Sequence, residues 1–277
     1  MKNTFALMAT LSALTLTACG GGGGSDSPVS VNQPSNGGNP VVNPSTPTTP
    51  TTNGFVVSGK AIKFENGKQT AEIDSYSGTT TPPEYWGLIK IDGKELFYMH
   101  DGRGEVGHYG WAPQNGEWSY HDLGTVGYSR FGVMHDTKNN MEYVFYTGKE
   151  FITPLNEMPV TGTIEYGGYA VAYRPSDKKT FLTYANKNPY PVNFTVDFAN
   201  KKLTGKIDEI YEQTDKNERI KDIELSATIN GNTFSGSKNG VSTEGIFVGS
   251  KAAEMTGLFK DDNNKIQGAF GAKQQGK

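Results

Sequence analysis

Leu16-Thr17-Ala18-Cys19 is where the residue order most clearly spells out a covalent reaction. The single cysteine of 277 residues stands directly behind a small residue, at the end of a segment in which Lys2 precedes an apolar core running from Phe5 to Leu16. That is the layout of a bacterial lipoprotein signal peptide over residues 1–18. In that chemistry the Cys19 thiol takes diacylglycerol, the chain is cut before it, and the freed amine is acylated. Two or three acyl chains, at about 0.8 kcal/mol per buried methylene, make a stable membrane anchor. A transmembrane helix over 5–18 would need roughly 20 apolar residues, more than this run supplies.

The remaining candidates for chemistry concentrate in one region. All three tryptophans (Trp86, Trp111, Trp118) and all four histidines (His100, His108, His121, His135) fall between residues 86 and 135. Tyr109, Trp111, Trp118 and Tyr120 sit in the glycine-rich stretch 101–124, and are the predicted ligand-binding residues. Rigid amphipathic rings on loops give a recognition surface much contact area at low entropic cost. The competing reading makes them the core of a β-rich domain, and for Trp86, flanked by the strand residues Tyr85 and Leu88, that reading is preferred.

Catalytic patterns are missing. Gly127-Tyr128-Ser129-Arg130-Phe131-Gly132 is one residue too long for a nucleophile elbow and lies in a strand-like pattern. Asp101 and Glu105 are carboxylates whose separation a sequence does not define. No His-x-x-x-His pair and no second cysteine offers a metal site. Asp261-Asp262-Asn263-Asn264 lacks the glycine and distal glutamate of a calcium loop and reads as a turn. With a net charge of -3 and no Lys/Arg cluster, the chain has no field for nucleic acid. The expectation is a non-catalytic protein with no cofactor.

The elements that must position these residues are strands. Residues 19–54 are mostly Gly, Ser, Pro, Thr and Asn, with a single charge, Asp26, and no aromatic ring. Such a segment buries too little apolar surface to fold, so it is expected to be a disordered, lipidated stalk with a reach on the order of 30 Å. Strands are predicted from residue 55 onward, with Asn66-Gly67 and Asp92-Gly93 as hairpin turns. An irregular region spans 101–124, strands follow at 125–135 and 141–146, and the proline-bearing stretch 149–159 is taken as a joint. A β-rich N-terminal domain therefore covers 55–150 and a second domain 151–277. In the latter, Val192, Phe194, Val196 and Phe198 alternate with polar residues, which puts all four on one sheet face. Eight or nine short antiparallel strands suggest a closed barrel, since closure removes exposed edges. The charged stretch 208–222 is expected to be a long loop or helical turn. The fold class is all-β.

The segment Thr195-Val196-Asp197-Phe198-Ala199 to Gly205-Lys206-Ile207, then Gly245-Ile246-Phe247-Val248-Gly249 through Gly257, and finally Gly268-Ala269-Phe270-Gly271-Ala272-Lys273-Gln274, resembles the C-terminal barrel of transferrin-binding protein B. That barrel is shared with factor H binding protein and hemophilin, among Slam-dependent surface lipoproteins. The resemblance covers roughly 150–275, and the lipobox and stalk agree with it.

It implies an eight-stranded barrel behind an N-terminal handle, with Ala252, Ala253 and Met255 plugging the barrel end. It also implies export by a Slam translocon to the outer face of the outer membrane. The expected function is capture of a host serum protein, a complement component or an iron or haem carrier, for immune evasion or nutrient acquisition, with complement regulators favoured by the small size. The alternative is a hemophilin-like protein that carries haem, with His108 or His121 as axial ligand.

Overall fold

The computed structural model describes residues 55–73, 77–81, 86–91, 94–99, 107–111, 119–125, 127–184 and 189–276; side chains are described at 58–73, 91, 127–184 and 189–276. Cys19, the stalk and Trp118 lie outside the described residues, as do His100, Asp101 and Glu105.

Nine strands make the N-terminal sheet: β1 (Phe55–Glu65), β2 (Lys68–Ile73), β3 (Ser77–Thr81), β4 (Trp86–Ile91), β5 (Lys94–Met99), β6 (Gly107–Trp111), β7 (Ser119–Thr125), β8 (Arg130–Asp136) and β9 (Met141–Thr147). Their order is β5-β4-β3-β1-β9-β8-β7-β6, with β2 beside β1. The long β1 uses one edge twice, pairing with β3 through 55–58 and with β2 through 61–65, while its other edge pairs with β9. The Asn66-Gly67 hairpin forms as its sequence predicts, both residues taking the positive φ that a two-residue turn demands. Ile91 opposes Lys94 across the second expected hairpin.

The barrel follows: β10 (Thr163–Arg174), β11 (Lys179–Leu182), β12 (Val192–Asp197), β13 (Lys202–Glu212), β14 (Arg219–Asn230), β15 (Thr233–Lys238), β16 (Val241–Val248), β17 (Glu254–Asp261) and β18 (Ile266–Gln274). Each pairs antiparallel with its neighbours, and β18 returns to β10 from Tyr166↔Gln274 to Tyr173↔Gln267. β12 pairs with the first half of β10 and β11 with the second, and both also pair with β13. The two short strands thus share one position, and the closed barrel is eight-stranded.

Its interior is built by the alternation seen in the sequence. Val192, Phe194, Val196 and Phe198 all join the interior cluster, with Phe194 and Phe270 ring centres 4.9 Å apart and Phe234 and Phe247 at 5.4 Å. The end of the barrel is closed by the 3-10 turn Ser250–Ala252, where Ala252 and Met255 are fully buried and the Tyr166 hydroxyl donates to the Ala252 carbonyl at 2.7 Å. Ala253 is only partly buried there.

Two sequence expectations are corrected. The stretch 208–222 is not a loop: β13 continues to Glu212 and β14 starts at Arg219. Its charges sit on the outer wall as cross-strand pairs, Lys221 with Glu209 at 2.9 Å and Lys206 with Asp222 at 2.6 Å, while Ile207, Ile210, Ile220 and Ile223 face inward. The step from Ile207 to Ile210 breaks the period of two, which hid the strand. Likewise 101–124 is not irregular throughout, since it contains β6 and most of β7, paired from Gly107↔Leu123 to Trp111↔Ser119. Glycines within a strand weaken the sequence signal without preventing pairing.

Candidate binding surface

The N-terminal sheet has two unlike faces. Ile62, Phe64, Phe131, Val133, Val144 and Tyr146 pack against the outer wall of the barrel, on Tyr169, Val171, Tyr173, Ile246, Val248, Leu258 and Ala269. Ala61, Met134, Tyr143 and Phe145 point the other way and form a separate cluster with Ile91. Burial of each large apolar side chain is worth about 1.5–3 kcal/mol, so the seam with the barrel is a core in its own right.

Polar groups cross this seam. Glu254, at the start of β17, is buried, and its carboxylate accepts the Tyr128 main-chain N–H at 2.9 Å. Burial pushes its pKa up to about 7, against the pull of the Tyr128 N–H, Arg130 and Lys273. His135 Nε2 lies 3.0 Å from the Thr180 hydroxyl, and burial raises the pKa of the Glu142 carboxyl against the pull of Tyr173 and Lys178. At the margin, Lys60 reaches both Glu72 and Glu244, beside a groove of about 430 Å³ lined by Gln69, Ser242 and Gln267.

Of the predicted aromatic residues, Tyr109, Trp111 and Tyr120 lie at one edge of the sheet, on the β6–β7 hairpin. The register pairs Tyr109 with His121, Trp111 with Ser119, Gly110 with Tyr120 and His108 with Asp122. Successive pairs of a ladder alternate between its faces. Tyr109, Trp111 and His121 therefore share one face, and His108 and Tyr120 the other. Through β8 the first row continues to Met134, on the side away from the barrel, and the second to Val133 and His135, on the barrel side. The hairpin brings Tyr109 and Trp111 together and separates them from Tyr120. β6 ends the strand order, which gives it one edge without a partner strand among the described residues.

Other chemistry stays absent from the described residues. No group of three His, Cys, Asp or Glu is placed to hold a metal ion. Ser129 is fully buried in the turn before β8, with no helix after it. The Asp261 carboxylate accepts the N–H groups of Asn263 at 2.9 Å and Asn264 at 3.2 Å, which makes 261–264 a self-capped turn. Sequence reasoning missed the seam itself. Its outward residues on β10, β16, β17 and β18 read as half of an ordinary barrel alternation, and the only hint was that this outer row is apolar.

Residues 158–274 match the family described as "C-lobe and N-lobe beta barrels of Tf-binding protein B". They form a transferrin-binding protein B-like β-barrel. Transferrin-binding protein B of Haemophilus influenzae is 28% identical over 183 residues, covering 52% of this chain and 28% of that protein. An uncharacterized protein of the same species is 35% identical over 149 residues, covering 51% of this chain and 46% of the other. Among solved structures, intact Ap-TbpB with its N and C lobes superposes with a TM-score of 0.54 at 22% identity, over 80% of this chain and 46% of that one. That superposition carries the fold: a transferrin-binding protein B-like barrel with a β-sheet N-terminal to it. The chain spans less than half the length of each of these relatives.

Proposed function

We propose that this is a non-catalytic lipoprotein of the outer membrane, displayed on the cell surface through Cys19, that captures a host serum iron-carrier protein of the transferrin class. The observation that carries the proposal is the joining of a transferrin-binding protein B-like barrel to a sheet whose outermost hairpin bears Tyr109 and Trp111 on the face turned away from the barrel. Such rings are the residue types that dominate protein–protein binding energy. Export by a Slam translocon and a role in nutrient acquisition belong to the same proposal. Complement regulators, which chain length alone favours, have no supporting observation here.

The test uses the full mature chain carrying Cys19→Ala, immobilised and exposed to serum. Retention of an iron carrier supports the proposal, and serum in which no iron carrier is retained sinks it. The haem alternative is read from the same material. Because His108 and His121 fall on opposite faces of one hairpin, a single residue would have to supply the axial ligand. A Soret shift on adding haemin, abolished by one of His108→Ala and His121→Ala, would favour haem over the protein ligand.

A further inference from the structure

We propose that the end of the molecule carrying the 148–162 connection and the β16–β17 turn docks on an anionic lipid surface, and so holds the tethered protein in one orientation. The proposal rests on the lipid-anchor part of the function above, but not on the identity of any captured host protein.

Among the described residues the exposed large apolar side chains are Tyr128 (44%), Phe151 (36%), Leu155 (66%) and Val160 (78%). All four belong to one end of the fold. Tyr128 and Phe151 rings lie 5.5 Å apart, and the Leu155–Glu157 turn lies against the Ser250–Ala252 turn that closes the barrel. Val160 precedes the start of β10 at the same barrel end. Apolar residues scattered singly need no explanation, but a set gathered at one end does.

The support beneath them is rigid. The Thr153 N–H donates to the Phe247 carbonyl and the Gly249 N–H to the Phe151 carbonyl, at 2.9 and 2.8 Å, and Asn232 Nδ2 donates to the Thr153 carbonyl at 2.9 Å. The connection is thereby stitched to the barrel rim, which holds Phe151 and Leu155 at the surface of this end.

Two observations choose a membrane as the occupant. The first is where the tether leaves. The Ser58 N–H and the Gly148 N–H fix the start of β1 to the same connection, the former donating to Glu150 Oε2 at 2.7 Å and the latter to the Ser58 carbonyl at 2.9 Å. Phe55, through which the chain runs back toward Cys19, is three residues from Ser58, at most about 10 Å of extended chain. The chain that leads back to Cys19 therefore leaves the fold from this end. The second is charge. Lys201, Lys202 and Lys251 are exposed on the turns of this barrel end, against the exposed carboxylates of Glu157 and of Glu150, the latter engaged by Ser58, although the whole chain is net acidic. Exposed aromatic and aliphatic groups flanked by lysines suit the headgroup boundary, where each basic residue near an anionic surface contributes about 1 kcal/mol.

The test places one fluorophore at a time on the lipidated full chain. With Cys19 acylated, Leu155→Cys offers a single thiol for an environment-sensitive dye, and Lys216→Cys, in the turn at the opposite end of the barrel, is the control. The protein is reconstituted into phosphatidylethanolamine–phosphatidylglycerol vesicles and floated on a gradient. The expected result is a blue-shifted emission at position 155 that nitroxide-labelled lipid quenches and high salt weakens, with no change at 216. A chain that floats while 155 stays as wet as 216 overturns the docking. A chain that does not float overturns the anchor on which docking rests. Shielding of 155 that appears only when a host iron carrier is added assigns the patch to a protein and overturns the lipid surface.

Discussion

The Glu254 carboxylate and the Tyr128 main-chain N–H meet at 2.9 Å across the seam between barrel and N-terminal sheet. This joins two elements far apart in sequence through an acid that burial holds near a pKa of about 7 rather than 4.5. A carboxyl raised in this way binds more protons in the folded chain than in the unfolded one between those two values. Its contribution is full below about pH 4.5 and is lost as pH rises through 7, a swing of roughly 3 kcal/mol at most. Glu254→Gln should flatten the loss of stability between about pH 4.5 and 7, as measured by urea unfolding at several pH values. An unchanged slope would show that this group does not control it.

Phe64 is fully buried in the seam, its ring centre 5.2 Å from that of Tyr173 on β10. Phe64→Ala removes a large apolar group that the surrounding strands cannot close over, and should cost about 3–5 kcal/mol. The expected readout is a lowered unfolding midpoint, with the N-terminal sheet becoming protease-sensitive before the barrel.

Gly168, in the middle of β10, faces β18 so closely that a Cβ there would lie 1.9 Å from the Gly271 carbonyl oxygen and 2.6 Å from the Ala272 Cα. Both are backbone atoms and cannot swing aside. Gly168→Ala should prise apart the pairing that closes the barrel and destabilise by at least the 1–3 kcal/mol of an overpacked core. Calorimetry of the purified variant checks this; a melting temperature matching the parent would refute it.

The β6–β7 register places Tyr109 and Trp111 on one face of the sheet and Tyr120 on the other. Tyr109→Ala and Trp111→Ala, on the face away from the barrel, should each weaken capture of the serum ligand by about tenfold or more while leaving the unfolding midpoint in place. Tyr120→Ala, opposite His135 on the barrel-side row, should do the reverse. Surface plasmon resonance beside thermal unfolding distinguishes the two patterns.

How much of this was legible in the sequence depended on whether a local period survived. Val192 to Phe198 announced both strand and face, and Asn66-Gly67 announced its turn, because each signal is contained within a few residues. The strand through 208–212 was hidden by the changed spacing between Ile207 and Ile210, and β6 and β7 by their glycines. Tyr109 and Trp111 were named for their chemistry, but their separation from Tyr120 needed a register, which is a relation between strands. The seam was least visible, since Glu254 and Tyr128 have nothing in common except a meeting place that only the closed barrel creates.

β10 pairs along both edges and is buried on both faces from Tyr166 to Tyr173. Tyr166, Ala170 and Ala172 belong to the barrel interior, while Tyr169, Val171 and Tyr173 form the floor beneath the N-terminal sheet. One strand is thus a party wall between two cores. Neither side can lose it alone, so the intact chain should melt in a single transition, and a truncation ending at the connection would leave the sheet with a bare apolar underside prone to self-association. The piece expected to meet the host is therefore not a detachable head on a passive base, because its solubility and order depend on the barrel it stands against.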